Sequence, residues 1–307
     1  MNKRIARYLR DFLSFDEYPT AYSFLKTVLL NLAFLGIATK EYDYMVISNL
    51  NLYKTQIVIN PTSIFSICCV TLVKDYVILF LVKLYGMSFY SIKGRSRSVP
   101  VAKFFGEFHL YVWIAAFAEG LTLSVLLKVL PFYAFGFTPW SYLTFFPIMF
   151  VFEIIFDFFH YWAHRISHSG VMYRKIHKMH HKYRYPSPIT AFYQHPLELL
   201  ISNSIPSFLT LIIMMYGLNI PITYFQLVLI MCWKTVIEVA GHIGKYLAPA
   251  SSFPQFVWLS KWLNFELYVE DHDLHHREFT CNYSKRFSLW DKVFGTYVDG
   301  RTFELKT

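Results

Sequence analysis

The chain is short of charge. Asp, Glu, Lys and Arg make up only 16% of its 307 residues, where an ordinary soluble domain carries about 25%. That deficit excludes a well-hydrated surface over most of its length. Cysteine is scarce too: Cys68, Cys69, Cys232 and Cys281 form no C-x-x-C pair, and three of them lie in apolar runs. A disulfide framework and a thiolate metal site are not expected; these are small buried hydrophobes of a reducing compartment. Gly/Ser linkers and low-complexity segments are missing, and nothing repeats except one histidine motif. No G-x-G-x-x-G is present to bind a dinucleotide, and no H-E-x-x-H to build a zinc protease. Asn2 to Asp16 is basic and polar, without the short apolar core and small residues of a cleavable signal, so none is expected.

What is present is apolar. The chain is 55% hydrophobic and 20% aromatic, with a mean hydropathy of +0.35. Runs long enough to cross a bilayer, about 20 residues each, occur at 21–38, 62–82, 108–130 and 139–159. Lys74-Asp75 interrupts the second, as a mutually neutralised pair or an end-facing polar patch. Two shorter runs, 199–216 and 221–240, form an apolar hairpin turned at Gly217-Leu218-Asn219, and Pro206 and Lys234 suit them to a re-entrant path. Of the 29 Lys and Arg, 23 fall before the first run, between the second and third, after the fourth and from Lys245 onward. The opposite connections hold only Lys40 and Lys54. The positive-inside rule then places both termini and the histidine-rich segments in the cytosol. The net charge of +9 fits loops facing an anionic leaflet better than nucleic acid. Asn282-Tyr283-Ser284 spells a glycosylation acceptor that this topology keeps bare. An all-α polytopic membrane bundle is expected, with four spans, an apolar hairpin and a cytosolic histidine-rich cap. Residues 1–138 form its N-terminal helices and loops, and 139–307 its chemistry-bearing region, in one integrated domain.

Histidine carries that chemistry. Glu153, Asp157, His160, His164 and His168 fall on one helical stripe. After a break at Ser169-Gly170, His177, His180 and His181 follow as H-x-x-H-H, and the same motif returns as His272, His275 and His276. Neutral imidazole is a common ligand of iron, zinc and copper. Eight of the twelve histidines fall in these three boxes, which points to a site of more than one ion. Glu238 and His242 repeat an i, i+4 pair, and Asp271 and Asp273 flank His272. Asp157, Glu238 and Asp273 are candidates to hold ligand rings in place; Asp157 is placed to receive the ring N–H of His160 or His164. Glu153, deeper in its span, is read either as structural or as part of the site. His109, at the start of the third span, reads as interfacial. The ligands themselves do not select the metal.

His160-x-x-x-His164, His177-x-x-His180-His181 and His272-x-x-His275-His276 resemble the boxes of the fatty acid hydroxylase/sterol desaturase superfamily, membrane di-metal oxygenases. His195-Pro196-Leu197-Glu198 is similar to the family's H-P-x-E segment, Gly241-His242 to its histidine after the hairpin, and Trp290-Asp291-x-x-Phe294-Gly295-Thr296-Tyr297 to its closing motif. The resemblance covers about 145–298, half of the chain. It implies two iron ions that activate O2 and remove hydrogen from an unactivated C–H bond of a lipid. Implied ligands are the eight box histidines, then His242, and further His168 and His195. Electrons are implied to come from a separate cytochrome b5 or NAD(P)H reductase, since no H-P-G-G haem motif is fused here. Lys175, Lys178, Lys182 and Arg184 offer it a basic docking face. The ending and compact length look most like the C-4 methylsterol oxidase, sterol C-5 desaturase and cholesterol 25-hydroxylase types, which favours a sterol substrate. Fatty-acyl and sphingoid-base hydroxylases share the boxes. Hydroxylation, desaturation and multi-step oxidation begin with the same hydrogen abstraction. By analogy the protein resides in the endoplasmic reticulum membrane. Readings of another class are a bis-histidine haem electron carrier and a catalytically silent metal- or lipid-binding membrane protein.

Overall fold

The computed structural model describes residues 36, 40, 61–86, 92, 107–132, 138–245 and 257–302. Among them the chain is helical and carries no β-strand segment. The first expected span, 21–38, lies outside the described residues apart from Gly36, as does the basic loop at 95–97. Five described helices are long and apolar enough to cross a membrane.

Helix α1 (Pro61–Gly86) packs along α2 (Glu107–Val129). Both are apolar all round. Phe65, Val73 and Phe80 on one and Leu110, Trp113 and Val125 on the other stay exposed, as lipid-facing side chains would. The contact is close because Gly120 has no Cβ: one built there would sit 2.8 Å from the Cα of Cys68. Small residues at such crossings let backbones meet where no hydrophobic driving force separates helix from lipid. Lys74, in the middle of α1, is buried and paired with Asp75 at 3.3 Å and with Glu119 of α2, so the interruption is a neutralised set facing the bundle interior.

Helix α3 (Pro139–Ser167) starts at Thr138, whose hydroxyl accepts the Ser141 N–H, with Pro139 at its first position. Its 29 residues rise about 43 Å, more than the ~30 Å hydrocarbon core. Its last turns therefore carry histidines out to one end of the bundle. Gly170, at φ +37°, breaks the helix in a conformation that β-carbons resist. Helix α4 (Gly170–Lys175) and a 3-10 turn (His177–Lys182) then bring the chain back over the end of α3.

The hairpin's first arm joins α5 (Pro196–Leu199) and α6 (Ile205–Ile212) through a π turn at Leu200–Ser204, with a second π turn at Ile213–Gly217. Counted together this arm is 22 residues, and the second arm, α7 (Tyr224–Gly241), is 18; both meet the length and hydropathy of a crossing segment. Helix α7 lies in the centre, with 83% of its residues buried. Gln226 ties it to α3 by donating to the Ser141 carbonyl at 2.8 Å and to the Thr144 hydroxyl at 2.9 Å. Helices α8 (Val257–Trp262), α9 (Val269–Glu278) and α10 (Leu289–Val293) complete the histidine end. Asn282, of the glycosylation-like triplet, is fully buried at φ +55°. Its amide donates to the Asp271 and Val298 carbonyls and accepts the Val298 N–H. That side chain is committed to the fold.

Candidate metal centre

Each histidine is placed by the element that carries it, and several have their outer ring nitrogen held. His160 Nδ1 donates to the Ser202 carbonyl at 2.8 Å and His164 Nδ1 to the Tyr283 carbonyl at 2.7 Å. His242 Nδ1 donates to the Glu238 carbonyl at 2.8 Å and His275 Nδ1 to the Cys281 carbonyl at 2.6 Å. His177 Nδ1 donates to the Glu198 carboxylate at 2.7 Å. The Ser202 carbonyl is available because Pro206, four residues on, has no N–H to give it. A carbonyl or carboxylate accepts only, so in a neutral ring each of these bonds fixes the proton on Nδ1 and leaves Nε2 bare.

The bare nitrogens converge in two groups. His164, His168, His177, His181 and His275 form one; His180, His242, His272 and His276 form the other. Within each group the potential ligand atoms all lie within 4.8 Å of one another. His177 Nε2 stands 2.8 Å from His168 Nε2 and 2.9 Å from His181 Nε2, and His275 Nε2 is 3.2 Å from His181 Nε2. In the second group His242 Nε2 is 3.2 Å from His272 Nε2 and 3.4 Å from His180 Nε2. Both H-x-x-H-H boxes are divided between the groups. In the 3-10 turn His177 and His181 go to the first and His180 to the second; on α9 His275 goes to the first and His272 and His276 to the second.

These distances test the fit. Burial, reinforced by the other rings, pushes His168, His180, His181, His272 and His276 well below the ordinary imidazole range. It lowers His275 to about 3. These rings are therefore neutral near pH 7, and His275 turns a bare Nε2 lone pair toward His181. His164 Nε2 and both nitrogens of His276 have no hydrogen-bond partner. Lone pairs crowded at about 3 Å repel unless a cation lies among them, and neighbouring nitrogens of an ion with ~2.1 Å metal–nitrogen bonds are about that far apart. The residues fit a pair of imidazole-bound transition-metal ions.

His160 and His195 stand outside both groups. His160 lines a small cavity beside them, together with His164, His177, His180 and His272. His195 Nδ1 accepts the Leu197 N–H at 3.2 Å, capping α5. Asp157 does not receive either ring N–H. It accepts the backbone N–H of Lys285 at 2.8 Å and of Arg286 and Phe287 at 3.1 Å each. Helical side chains lean toward the N-terminus, so Asp157 is aimed away from the histidines that follow it. Glu238 holds His242 through its main chain and pairs its carboxylate with Lys285. Asp273 pairs with Arg277 at 3.3 Å. Glu153 is fully buried 3.8 Å from the Arg286 guanidinium. His109 accepts from or donates to the Tyr76 hydroxyl at 2.6 Å, away from the centre.

Sequence reasoning passed over Glu198 as a partner of His177, although it belongs to the H-P-x-E segment. It also passed over Asp291, which accepts the N–H groups of Tyr283 and Ser284 at 2.8 Å each and so aims the Tyr283 carbonyl at His164. That aspartate sits in the closing Trp-Asp motif.

Residues 149–296 match the model of the fatty acid hydroxylase family. The C-4 methylsterol oxidase of Schizosaccharomyces pombe is 33% identical over 154 residues, 49% of this chain and 47% of its own. Methylsterol monooxygenase 1 of Rattus norvegicus is 30% identical over 50% of this chain and 47% of its own. A fatty acid hydroxylase of a Lecanicillium species is 32% identical over 48% of this chain and 41% of its own. The chain thus spans about half the length of the curated relatives it matches, and no solved structure matches it.

Proposed function

From the match of residues 149–296 to the fatty acid hydroxylase family, we propose that this chain is a membrane oxygenase that oxidises an unactivated C–H bond of a lipid, a sterol in the first place. The observation that carries the reading is the convergence of nine imidazoles into two groups, with outer nitrogens tied to carbonyls and a carboxylate. Two iron ions bound there would supply O2 activation and hydrogen abstraction. His164, His168, His177, His181 and His275 would hold one, and His180, His242, His272 and His276 the other. The carbonyls of Tyr283, Cys281 and Glu238 and the Glu198 carboxylate keep the protons on Nδ1. Burial of the rings excludes water from the centre. His160 faces the adjoining cavity, where it is placed to meet the reacting part of the lipid or a ligand of the ions.

The sterol preference is supported by the relatives named methylsterol oxidase and monooxygenase. The fatty acid hydroxylase relative supports acyl hydroxylation as the second reading. Electrons would come from a separate cytochrome b5 or reductase. Exposed Arg174, Lys175, Lys178, Lys182 and Arg184 surround the 3-10 turn that bears three of the histidines and suit an acidic donor. The charge bias of the loops supports a cytosolic centre in the endoplasmic reticulum membrane.

The test is metal analysis with lipid profiling. The wild type and His276→Ala are expressed in a sterol-making host and purified in detergent. We expect one iron per histidine group in the wild type, a reduced content in the variant and an oxidised sterol from the wild type alone. Oxidised acyl or sphingoid lipids in place of sterol would transfer the proposal to the second reading. A folded wild type that binds no metal would defeat both.

A further inference from the structure

A second small cavity lies between α2, the first hairpin arm and α7. Gln194 and Glu238 line both it and the histidine cavity, so the two adjoin. Most of its polar groups are satisfied. Thr122 and Ser204 share a hydrogen bond of 2.8 Å, Ser207 donates to the Asn203 carbonyl at 2.7 Å, and Glu119 is held by Lys74 and by Thr235 at 3.2 Å.

Two groups are not. Lys234 is more than nine-tenths buried in the central crossing helix. Its ammonium donates to the Asn203 side chain at 3.3 Å, stands 5.9 Å from the centre of the Phe156 ring and forms no ion pair with a carboxylate among the described residues. An ammonium has three donors, so Lys234 keeps donors to give, and a buried cation at membrane depth marks a functional position. Gln194 is 4% exposed, and its Oε1 has no hydrogen-bond partner. Its amide orientation is fixed, because Nε2 donates to the Ala191 carbonyl at 2.8 Å. Oε1 is thus an acceptor without a donor, on a residue that lines the cavity. One wall offers a spare donor and another a spare acceptor.

A hydroxyl group answers both, since it accepts through its lone pairs and donates its proton. A carboxylate answers only Lys234 and would be repelled by Gln194 Oε1 and by the carboxylates of Glu119 and Glu238. We propose that this cavity binds the hydroxyl-bearing end of a lipid alcohol, with Lys234 donating to the alcohol oxygen and Gln194 Oε1 accepting its proton. The proposal rests on the oxygenase reading for the identity of the lipid as substrate. It assigns specificity for an alcohol to residues outside the histidine boxes. Asn203 joins the two cavities: its side-chain oxygen accepts from Lys234 and from Lys285 of the histidine cavity, at 3.3 Å each. The alcohol end would thus sit next to the metal centre.

The experiment is equilibrium binding to purified, detergent-solubilised wild type, Lys234→Met and Gln194→Leu, with no turnover required. The probes are a 4-methylsterol with a free 3-hydroxyl, its 3-methyl ether, and a long-chain alcohol with its own methyl ether. The wild type is expected to prefer free alcohol over ether by about tenfold or more, as a hydrogen bond to a charged group implies. Each variant should lose most of that preference. Thermal unfolding supplies a second readout: Lys234→Met removes a buried charge that has one long hydrogen bond and no ion pair, and should leave the midpoint unchanged or raise it. Equal binding of sterol and sterol ether by the wild type, unaltered in the variants, would overturn the cavity assignment and leave the sterol reading standing. Alcohol preference for the long-chain probe without sterol binding would keep the cavity and overturn the sterol. Failure of both alcohols to bind would overturn both.

Discussion

At Glu198 one carboxylate oxygen accepts the ring N–H of His177 at 2.7 Å, while the other has no hydrogen-bond partner. The bond holds the proton on Nδ1, turns Nε2 inward and makes the ring a stronger base. Replacing Glu198 by leucine is expected to weaken metal binding by about 10- to 100-fold, read by competition with a chelator. Glu198→Gln, which still offers an acceptor, should lose much less; equal losses would show that the carboxylate only fills space. At the same scale the sequence was partly legible. The spacing of His164, His177, His181, His272, His275 and His276 made them candidates, because ligand rings must come from neighbouring turns. The acceptors of their outer nitrogens were hidden, since main-chain carbonyls of residues 202, 281 and 283 carry no side-chain signature. Asp157 was misassigned for the same reason: its partners are N–H groups that follow it by 128 to 130 positions.

Among the elements, the paired α1 and α2 depend on one position. A methyl group on Gly120 would meet the Cα, N and Sγ of Cys68 at 2.8–3.1 Å, and only the sulfur can swing aside. Overpacking of this kind typically costs about 1–3 kcal/mol. Gly120→Ala is therefore expected to lower the thermal midpoint, whereas Gly217→Ala, whose nearest neighbour would be 3.8 Å away, serves as the tolerated control. Equal midpoints would mean that the crossing relaxes without loss. The helices themselves were legible: the apolar runs at 62–82, 108–130 and 139–159 correspond to α1, α2 and α3, extended at their ends. The H-x-x-H-H spacing of i, i+3 and i+4 suits one face of an α-helix, which α9 forms and residues 177–182 do not. There the chain forms a 3-10 turn, with about three residues per turn. Sequence spacing alone could not reveal that each box serves two groups, because the division depends on which elements face the box from outside.

For the whole molecule, rings from α3, the 3-10 turn, the end of α7 and α9 meet at one end of the bundle, so metal binding and the integrity of the fold are linked. The direction with pH follows from the rings. In the unfolded chain imidazole takes up a proton near pH 6.5; in the fold, burial keeps His180, His181, His272 and His276 neutral below that, and His275 down to about 3. Over that window the unfolded, metal-free chain binds more protons. Stability and metal retention are thus fully present above about pH 6.5 and fall as the pH is lowered. Titrating purified protein from pH 7.5 to 4.5 should release metal together with a falling thermal midpoint. Retention of both to pH 4.5 would contradict the neutral-ring account. The division of each box has a consequence for inheritance. A descendant that lost the last box would lose members of both groups at once, and one that lost the middle box would do the same. Loss of either H-x-x-H-H box strips both ions at once, so among related chains those two boxes should be kept or lost together.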